Sequence, residues 1–402
     1  MKKLSILMLF LLLVSCSNQS NHLNVKELKE DLNYLNEKLN EIHPDIEKIE
    51  YVSKKVDEYR SSLTEEVSEN YFKVKIMEIL AILEDSHTGV LIDEKTTKLP
   101  IQLLNLDSEI IIISSSSQVA KKGDKVLQIS GKNINVVINE LRKYISYDNE
   151  AWFQHQINFL TLDFLLESLG LLEQNKIILT VERDGEIIEY EIGFDKIEKD
   201  KEGPPYNWEI KMQNSIKIGY FKLVDSIYNQ HYESTIDQFF DSVDKNNIES
   251  ILIDLRFNSG GDSRVINSFL KHLNVDSYRL YNDSSVRQHN GDYSKDIYIL
   301  TDSGTFSSGA MFATIMKDNG LGKIIGGPVG QNPTHFGDPL LIELPNSNIK
   351  IAISQTKFIR PATKDEKNTL LIDMPISKTA EELLNEEDRQ LERALDSIVN
   401  QN

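Results

Sequence analysis

A serine stands where an apolar strand pattern changes to a helix pattern. Residues 297–311 read IYILTDSGTFSSGAM, and their β-branched run is typical of a buried parallel strand. Ser307 and Ser308 follow that run and precede a helical pattern over residues 310–318. We therefore expect a hydroxyl beside the unpaired backbone N–H groups of a helix start. Taken alone, such a serine is also compatible with an ordinary helix N-cap.

A second strand pattern ends in two glycines. Residues 251–262 read ILIDLRFNSGGD, so Gly260 and Gly261 follow another buried run. Because glycine has no side chain, its backbone N–H can approach a ligand closely. Binding sites form at the carboxyl ends of parallel strands, so we expect these amides near Ser307. A nucleophile beside anion-binding amides suits acyl transfer, with Gly260 or Gly261 and Ser308 as donors to the oxyanion.

In this order the two segments resemble the tail-specific, or C-terminal-processing, serine peptidase family, which includes the catalytic core of the tricorn protease. The family pattern Asp-Leu-Arg-x-Asn-x-Gly-Gly is matched by residues 254–261, and its Thr-x-Ser segment by residues 305–307. Residues 324–328, IIGGP, resemble the strand and turn that follow the nucleophile helix. The resemblance implies a serine peptidase with Ser307 as nucleophile and a protein or peptide as substrate.

The resemblance also indicates the general base. The C-terminal-processing branch uses a lysine downstream of the serine, but Asn332 stands at that position and no lysine lies between Lys323 and Lys350. The tricorn branch uses an upstream histidine, and residues 83–89, LEDSHTG, resemble its segment. By this resemblance His87 is the base and Ser86 orients or polarises it.

The sequence leaves two points of the site undecided: the role of a second histidine and the identity of a carboxylate. His335 follows the turn after residues 324–328 and is a second candidate, as a substrate contact or a substitute base. The tricorn branch also uses a carboxylate near the end of the domain, and Asp365, Glu366 and Asp373 lie in the matching region. We choose Glu366 among them.

One departure leaves a different function open. The family commonly has a glutamate in the first turn of the nucleophile helix, and this chain has Ala310 there. Together with Asn332 at the lysine position, Ala310 favours an alternative in which the protein is a catalytically inactive homologue. Such a protein would bind peptides or envelope proteins in the same cleft.

The amino terminus has the pattern of a bacterial lipoprotein signal. A basic start is followed by an apolar run over residues 4–14, too short to span a bilayer as a mature helix. The sequence LVSC at residues 13–16 resembles a lipobox, and Cys16 is the only cysteine of the chain. We expect lipidation at Cys16 and a protein held at a membrane surface of the cell envelope, outside the cytoplasm. The alternative is an ordinary secretory signal with an incidental cysteine.

The composition limits the partners. The chain has 63 acidic and 44 basic residues and a net charge of −19, which argues against nucleic acid as a partner. We expect no cofactor, because the eight histidines show no metal-ligand spacing and no phosphate-binding glycine loop is present.

The change of hydrophobic period along the chain predicts an α/β protein, α+β overall. Residues 123–132, GDKVLQISGK, resemble a block of PDZ domains, which bind peptide tails at an open sheet edge. This region could capture tails or serve only as a structural lid.

From residue 216 onward strands and helices alternate, which predicts a mainly parallel sheet, and the resemblance implies a ClpP/crotonase-like spiral core. The predicted units are a signal peptide over 1–15, a tether over 16–24, a helical unit with the histidine segment over 25–98, a degenerate PDZ-like domain with a helical insertion over 99–205 and a peptidase core over 206–402.

Overall fold

The computed structural model of the protein describes most of the chain after the predicted signal peptide. The described residues are 22–93, 95–106, 109–172, 174, 176–196, 203–273, 275, 277–283, 287–288, 295–362, 368–379, 382, 385 and 388–401. The predicted lipidation site Cys16 and the candidate acid Glu366 lie outside these residues. No helix in the described part of the chain is long and apolar enough to cross a membrane.

Three helices form the amino-terminal unit, as predicted. They are α1 (Val25–Ile42), α2 (Ile46–Ser62) and α3 (Glu69–Ala81). Asn24 and Glu27 form a capping box at the start of α1, which satisfies backbone N–H groups that a helix start leaves unpaired. The leucines at helical spacing in α1 are buried against the rest of the unit.

A second unit is built on an antiparallel sheet with helices beside it. Its strands are β5 (Ile101–Leu106), β6 (Glu109–Ser115), β7 (Lys125–Ile129), β8 (Lys132–Asn133), β9 (Ile177–Arg183) and β10 (Glu186–Ile192). They lie in the order β10-β9-β7-β6-β5, with β8 paired to β7. Its helices are α4 (Ile134–Leu141), α5 (Glu150–His155), a 3₁₀ helix (Gln156–Thr161) and α6 (Asp163–Ser168). The sheet and the amino-terminal helices share one apolar core.

The carboxy-terminal half contains a mainly parallel sheet. Its strands are β12 (Tyr206–Gln213), β13 (Ile216–Leu223), β14 (Ser250–Asp254), β17 (Asp296–Thr301), β18 (Lys323–Gly326) and β21 (Met374–Pro375), in that order across the sheet. All neighbours are parallel except β12 and β13. The helices are α7 (Gln230–Lys245), α8 (Arg264–Leu273), α9 (Ser308–Asp318) and α10 (Arg389–Val399). Every residue of β14 is buried, as its unbroken apolar pattern predicts.

A third sheet joins the two halves of the molecule. It consists of β19 (His335–Glu343), β20 (Lys350–Phe358) and β3 (Gly89–Val90), in the order β19-β20-β3. Since β3 directly follows the predicted histidine segment, its pairing with β20 fixes that segment against the carboxy-terminal half. The remaining short strands are β1 (His22–Leu23), β2 (Val67–Ser68), β4 (Thr97–Lys98), β11 (Asp195–Lys196), β15 (Ser277–Tyr278) and β16 (Arg287–Gln288).

Candidate active site

Ser307 occupies a strained turn between β17 and α9. Its backbone has φ 48° and ψ −124°, and its side chain makes no capping hydrogen bond to the helix. A residue with a side chain in this sparsely populated region costs about 1–3 kcal/mol, and such residues concentrate at functional sites. The ordinary N-cap interpretation of Ser307 is therefore wrong, because the hydroxyl is not used to pair the first N–H groups of α9.

Hydrogen bonds to two other segments hold this turn in place. The Thr305 hydroxyl donates to the carbonyl of Leu255 at 2.8 Å, and the Phe306 N–H donates to the carbonyl of Asn258, also at 2.8 Å. The Ser307 N–H donates to Oε1 of Gln331 at 3.0 Å. These contacts compensate the local strain and fix the direction of the Ser307 side chain.

The predicted glycine pair lies directly beside the nucleophile. Gly260 has φ +104°, and a Cβ atom built on it would overlap the Cβ of Ser307 and lie 2.9 Å from its Oγ. The N–H of Gly260 donates to Oδ1 of Asn258 at 2.9 Å, so it is not free to bind a ligand. Within the described residues, the N–H groups of Gly261 and Ser308 make no hydrogen bond. Of the predicted oxyanion donors, these two remain available.

Asn258 is a buried residue to which sequence reasoning gave no role. Besides holding Gly260, its side chain donates from Nδ2 to the carbonyl of Leu223 at 2.9 Å and accepts from Ser226 at 3.3 Å. It therefore fixes the loop between β14 and α8. The sequence did contain a signal for this role, because Asn258 is the asparagine of the Asp-Leu-Arg-x-Asn-x-Gly-Gly pattern.

Both candidate histidines lie near the nucleophile turn. The imidazole of His87 stacks on Phe306, the residue before the nucleophile, with 4.4 Å between ring centroids. His335 stacks on the other side at 5.8 Å from the His87 ring. Nδ1 of His87 is buried and has no hydrogen-bond partner within the described residues. Ser307 Oγ makes no hydrogen bond to either imidazole in the part of the chain that the structure describes. Such catalytic hydrogen bonds are often long in unliganded enzymes.

Burial keeps both imidazoles neutral. It lowers the pKa of His87, against the opposing influence of the Asp85 carboxylate and the Phe336 backbone. Burial and the neighbouring His87 lower the pKa of His335 to about 3. Nδ1 of His335 lies 3.1 Å from the carbonyl of Pro333, so we assign the ring proton to Nδ1. Either ring is in the protonation state that a general base requires.

Asp85 supports the backbone of the histidine segment. Its Oδ1 accepts the His87 N–H at 3.0 Å, and its Oδ2 accepts from the Thr88 hydroxyl at 2.5 Å and lies 3.2 Å from Nε2 of His43. Burial alone would raise the pKa of Asp85, but the hydrogen bonds with His43 and Thr88 lower it to about 2. Sequence reasoning assigned Asp85 no role, although it belongs to the LEDSHTG block.

Ser86 binds a carboxylate rather than the His87 ring. Its hydroxyl donates to Oδ1 of Asp148 at 2.7 Å and accepts the Asp148 N–H at 3.0 Å. The predicted role of orienting or polarising the imidazole directly is therefore not what its hydrogen bonds indicate. Asp148 lies between α4 and α5, and burial raises its pKa to about 6 despite the hydrogen bonds from Ser86 and Asn332.

Asn332, at the lysine position of the family, belongs to the same network. Its N–H donates to Oδ2 of Asp148 at 3.2 Å, and its Nδ2 donates to the Asp148 carbonyl at 2.7 Å. The amide thus joins the turn before β19 to the segment between α4 and α5, which in turn binds Ser86 through Asp148. Asp148 could not be found from sequence, because it lies outside every family motif that we identified.

The structure describes one of the three candidates for the carboxylate near the end of the domain. Asp365 and Glu366 lie outside the described residues. Asp373 accepts the Ile324 N–H at 2.7 Å and pairs with Lys317, so it supports β18 and α9. Ala310, at the glutamate position, is buried in α9. Glu366 remains a prediction.

The free edge of the PDZ-like sheet is partly covered. The Asn158 carboxamide accepts the Leu103 N–H at 2.7 Å and donates to the Leu103 carbonyl at 3.0 Å, as a neighbouring strand would. A cavity of 1020 Å³ extends from β5 to the carboxy-terminal half and is lined by polar and apolar side chains, the latter including Leu104, Phe159 and Phe257. A peptide strand could add to β5 at Leu103 only by displacing Asn158.

Comparison with known proteins gives matches to peptidases. A model described as peptidase family S41 matches residues 217–374. The chloroplastic carboxyl-terminal-processing peptidase 2 of Arabidopsis thaliana is 26% identical over 183 residues, which cover 41% of this chain and 33% of the relative. The chain thus spans about a third of the length of this curated relative.

Two solved structures share the fold. Mature CPAF complexed with lactacystin superposes with a TM-score of 0.72 and 14% identity, covering 94% of this chain and 98% of that one. The photosystem II D1 C-terminal processing protease gives a TM-score of 0.50 and 14% identity, covering 87% and 93%. At this identity the likeness shows the fold alone, and it confirms the predicted fold class.

Proposed function

Since a model of peptidase family S41 matches residues 217–374 of this chain, in line with the resemblance, we propose that the protein is a membrane-anchored serine endopeptidase with a Ser-His mechanism. The match supports a serine-type hydrolase. The observation that carries the proposal is the strained Ser307, whose hydroxyl is not used as a cap and which lies against Gly260 beside the unpaired N–H groups of Gly261 and Ser308.

In the proposed reaction Ser307 attacks the carbonyl carbon of the scissile peptide bond. His87 takes the hydroxyl proton and later gives it to the leaving amine, and a water molecule then hydrolyses the acyl-enzyme. The N–H groups of Gly261 and Ser308 stabilise the negative charge that develops on the carbonyl oxygen. Because burial keeps His87 neutral, no proton has to leave the base before it acts.

We propose unfolded or extended protein segments as substrates. The curated relative is named as a carboxyl-terminal-processing peptidase, which supports a substrate with an accessible chain end. The cavity of 1020 Å³ between β5 and the carboxy-terminal half combines polar and apolar side chains, which suits an extended segment with mixed side chains. Because Asn158 binds the Leu103 backbone, such a segment could add to the β5 edge only by displacing Asn158.

We also propose that a lipid on Cys16 holds the protein at a membrane surface of a bacterial cell envelope. The lipobox-like LVSC and the basic and apolar stretches before it support this location. The Cys16→Ala variant should lose acylation and appear in the soluble fraction or remain unprocessed. Retention of this variant at the membrane through the folded domain would contradict the anchor.

The test of activity is covalent labelling. A fluorophosphonate reacts with activated serines, and mass spectrometry of the labelled soluble protein should place the adduct on Ser307. The Ser307→Ala variant, kept as control, should remain unlabelled. Within the described residues Ser307 makes no hydrogen bond to an imidazole, and Asn332 stands at the lysine position; both favour a second candidate, the inactive peptide-binding homologue. An unlabelled wild-type protein that still binds unfolded protein would support that second function.

A further inference from the structure

Gln331 is buried beside the nucleophile, and within the described residues only the oxygen of its carboxamide is hydrogen-bonded. Its exposed fraction is 1%, and its Oε1 accepts the N–H of Ser307 at 3.0 Å. Its Nε2 is buried and has no partner within the described residues. A buried amide nitrogen without a partner costs about 1–3 kcal/mol, so its presence at this position requires an explanation.

The backbone on both sides of Gln331 is fixed. The N–H of Gly330 donates to the carbonyl of Thr305 at 2.8 Å, and a Cβ atom on Gly330 would lie 2.7 Å from the Trp152 ring. Asn332 is fixed by its two hydrogen bonds to Asp148. The Gln331 side chain is therefore held against Ser307 from two directions, and its position does not depend on its own hydrogen bonds alone.

The contact acts on the strained part of the nucleophile turn. Ser307 has a positive φ, and as the residue before α9 it has no helical acceptor for its N–H. The Gln331 carbonyl supplies that acceptor. Because the two ends of a carboxamide are about 2.2 Å apart, the unpaired Nε2 lies within about 5 Å of the Ser307 nitrogen.

We propose that Gln331 is a positioning residue with two contacts: Oε1 holds Ser307 in its reactive conformation, and Nε2 donates a hydrogen bond to a main-chain carbonyl of the bound peptide. This inference rests on the proposed peptidase function. It assigns the unpaired donor to the substrate, because a peptide main chain supplies carbonyl acceptors at regular spacing. It also accounts for a glutamine that is buried without pairing both ends of its amide.

Two variants separate the two contacts. Gln331→Glu keeps an acceptor for the Ser307 N–H and lacks the N–H donor, whereas Gln331→Met has a similar volume and lacks both. Gln213→Met is the matched control, since Gln213 donates to Asp396 in α10, far from Ser307 in the fold. Thermal unfolding of each variant establishes that it is folded. The fluorophosphonate labelling rate reports the reactivity of Ser307 without a peptide, and kcat and KM for an unfolded substrate report both contacts.

We expect Gln331→Met to lower both the labelling rate and kcat by about a hundredfold, the usual effect of misplacing a reacting group. Gln331→Glu should keep labelling within about fivefold of wild type and still lose about tenfold in kcat/KM, as one lost hydrogen bond predicts. Wild-type labelling of a folded Gln331→Met protein would overturn the positioning contact, and wild-type kcat/KM in Gln331→Glu would overturn the substrate contact. Absence of labelling in the wild type would refute the proposed peptidase function instead.

Discussion

Gly260 packs so closely on Ser307 that the two residues leave no room for a second side chain. A Cβ atom at position 260 would lie 2.9 Å from Ser307 Oγ and 3.1 Å from the Ser308 nitrogen, in addition to overlapping the Ser307 Cβ. The close approach places the glycine loop beside both the nucleophile and a free N–H group. The glycine at this position is therefore required by the geometry of the site as well as by its own φ of +104°.

Substitution of Gly260 should abolish activity. In Gly260→Ala the new methyl group must displace Ser307 or the Ser308 N–H, so we expect kcat/KM for an unfolded substrate to fall by about a hundredfold or more. Gly185→Ala is the control, because Gly185 has a similar φ of +81° and open space around its Cα. Both variants should lose stability, but only Gly260→Ala should lose activity. Equal activity in the two variants would contradict the close-packing argument.

The strands of the site could be predicted because their signals are local. The apolar runs that end at Asp254 and Thr301 are β14 and β17. After α4 (Ile134–Leu141) the chain brings Asp148 to Ser86, and nothing in the local pattern indicates that contact.

The partners of the site residues could not be predicted, because they depend on contacts between distant segments. Ser86 and Asp148 are 62 positions apart, and Asp148 and Asn332 are 184 positions apart. The family pattern identified Ser86 and the position of Asn332, but it contains no residue corresponding to Asp148. Gln331 gave no signal either, since a single buried glutamine has no periodicity or motif.

The Ser86–Asp148 hydrogen bond should appear as a coupling between the two residues. At pH 8 Asp148 is ionised, since its pKa is about 6. Hydrogen bonds to charged groups contribute about 1.5–3 kcal/mol, so Ser86→Ala should lower the free energy of unfolding by an amount of this order. Asp148→Asn should lower it by less, because burial disfavours the charged carboxylate, as its raised pKa indicates, and the substitution removes that cost as well. The double variant should be more stable than the sum of the two effects predicts, with a coupling of about 0.5–3 kcal/mol in denaturant unfolding.

The control for this cycle is Ser86→Ala combined with Asp124→Asn. Asp124 pairs with Arg183 in the PDZ-like sheet and shares no partner with Ser86. The two effects should add within about 0.5 kcal/mol. A coupling of the same size in both cycles would mean that the Ser86–Asp148 contact is not specific.

His335 should make the folded protein sensitive to acid. Its pKa is lowered to about 3 in the folded state, whereas an unfolded histidine titrates near about 6.5. The unfolded state therefore binds more protons between these pH values, and the stabilisation present above about pH 6.5 is lost as the pH falls toward 3. His335→Phe keeps an aromatic ring against Phe358 and should flatten the dependence of the free energy of unfolding on pH in this range. The exposed His231 provides the control, and an equal change in His231→Phe would contradict the assignment.

Capture of chain ends by the PDZ-like sheet can be tested with two forms of one peptide. If the sheet binds a C-terminal carboxylate, the free acid should bind more tightly than the amide by about 1.5–3 kcal/mol, the usual contribution of a charged acceptor. If the segment adds to β5, Asn158→Ala should strengthen binding, because it removes the group that occupies Leu103. Fluorescence anisotropy with both peptides gives the affinities. If the acid and the amide bind equally well, and Asn158→Ala changes neither affinity, the sheet is better interpreted as a structural lid.

The Ser-His mechanism makes the final prediction. Ser307→Ala and His87→Ala should each remove most peptide cleavage, and the double variant should be little worse than either, since members of one proton-transfer unit are not additive. Because burial lowers the pKa of His87, the neutral base persists below the ordinary histidine pKa of about 6.5. The acid limb of the dependence of kcat/KM on pH should therefore lie below about pH 6.5. Cleavage is measured across this range for the wild type, both variants and His335→Ala. Full activity in His87→Ala with loss in His335→Ala would transfer the role of base to His335, whose ring lies 5.8 Å from that of His87.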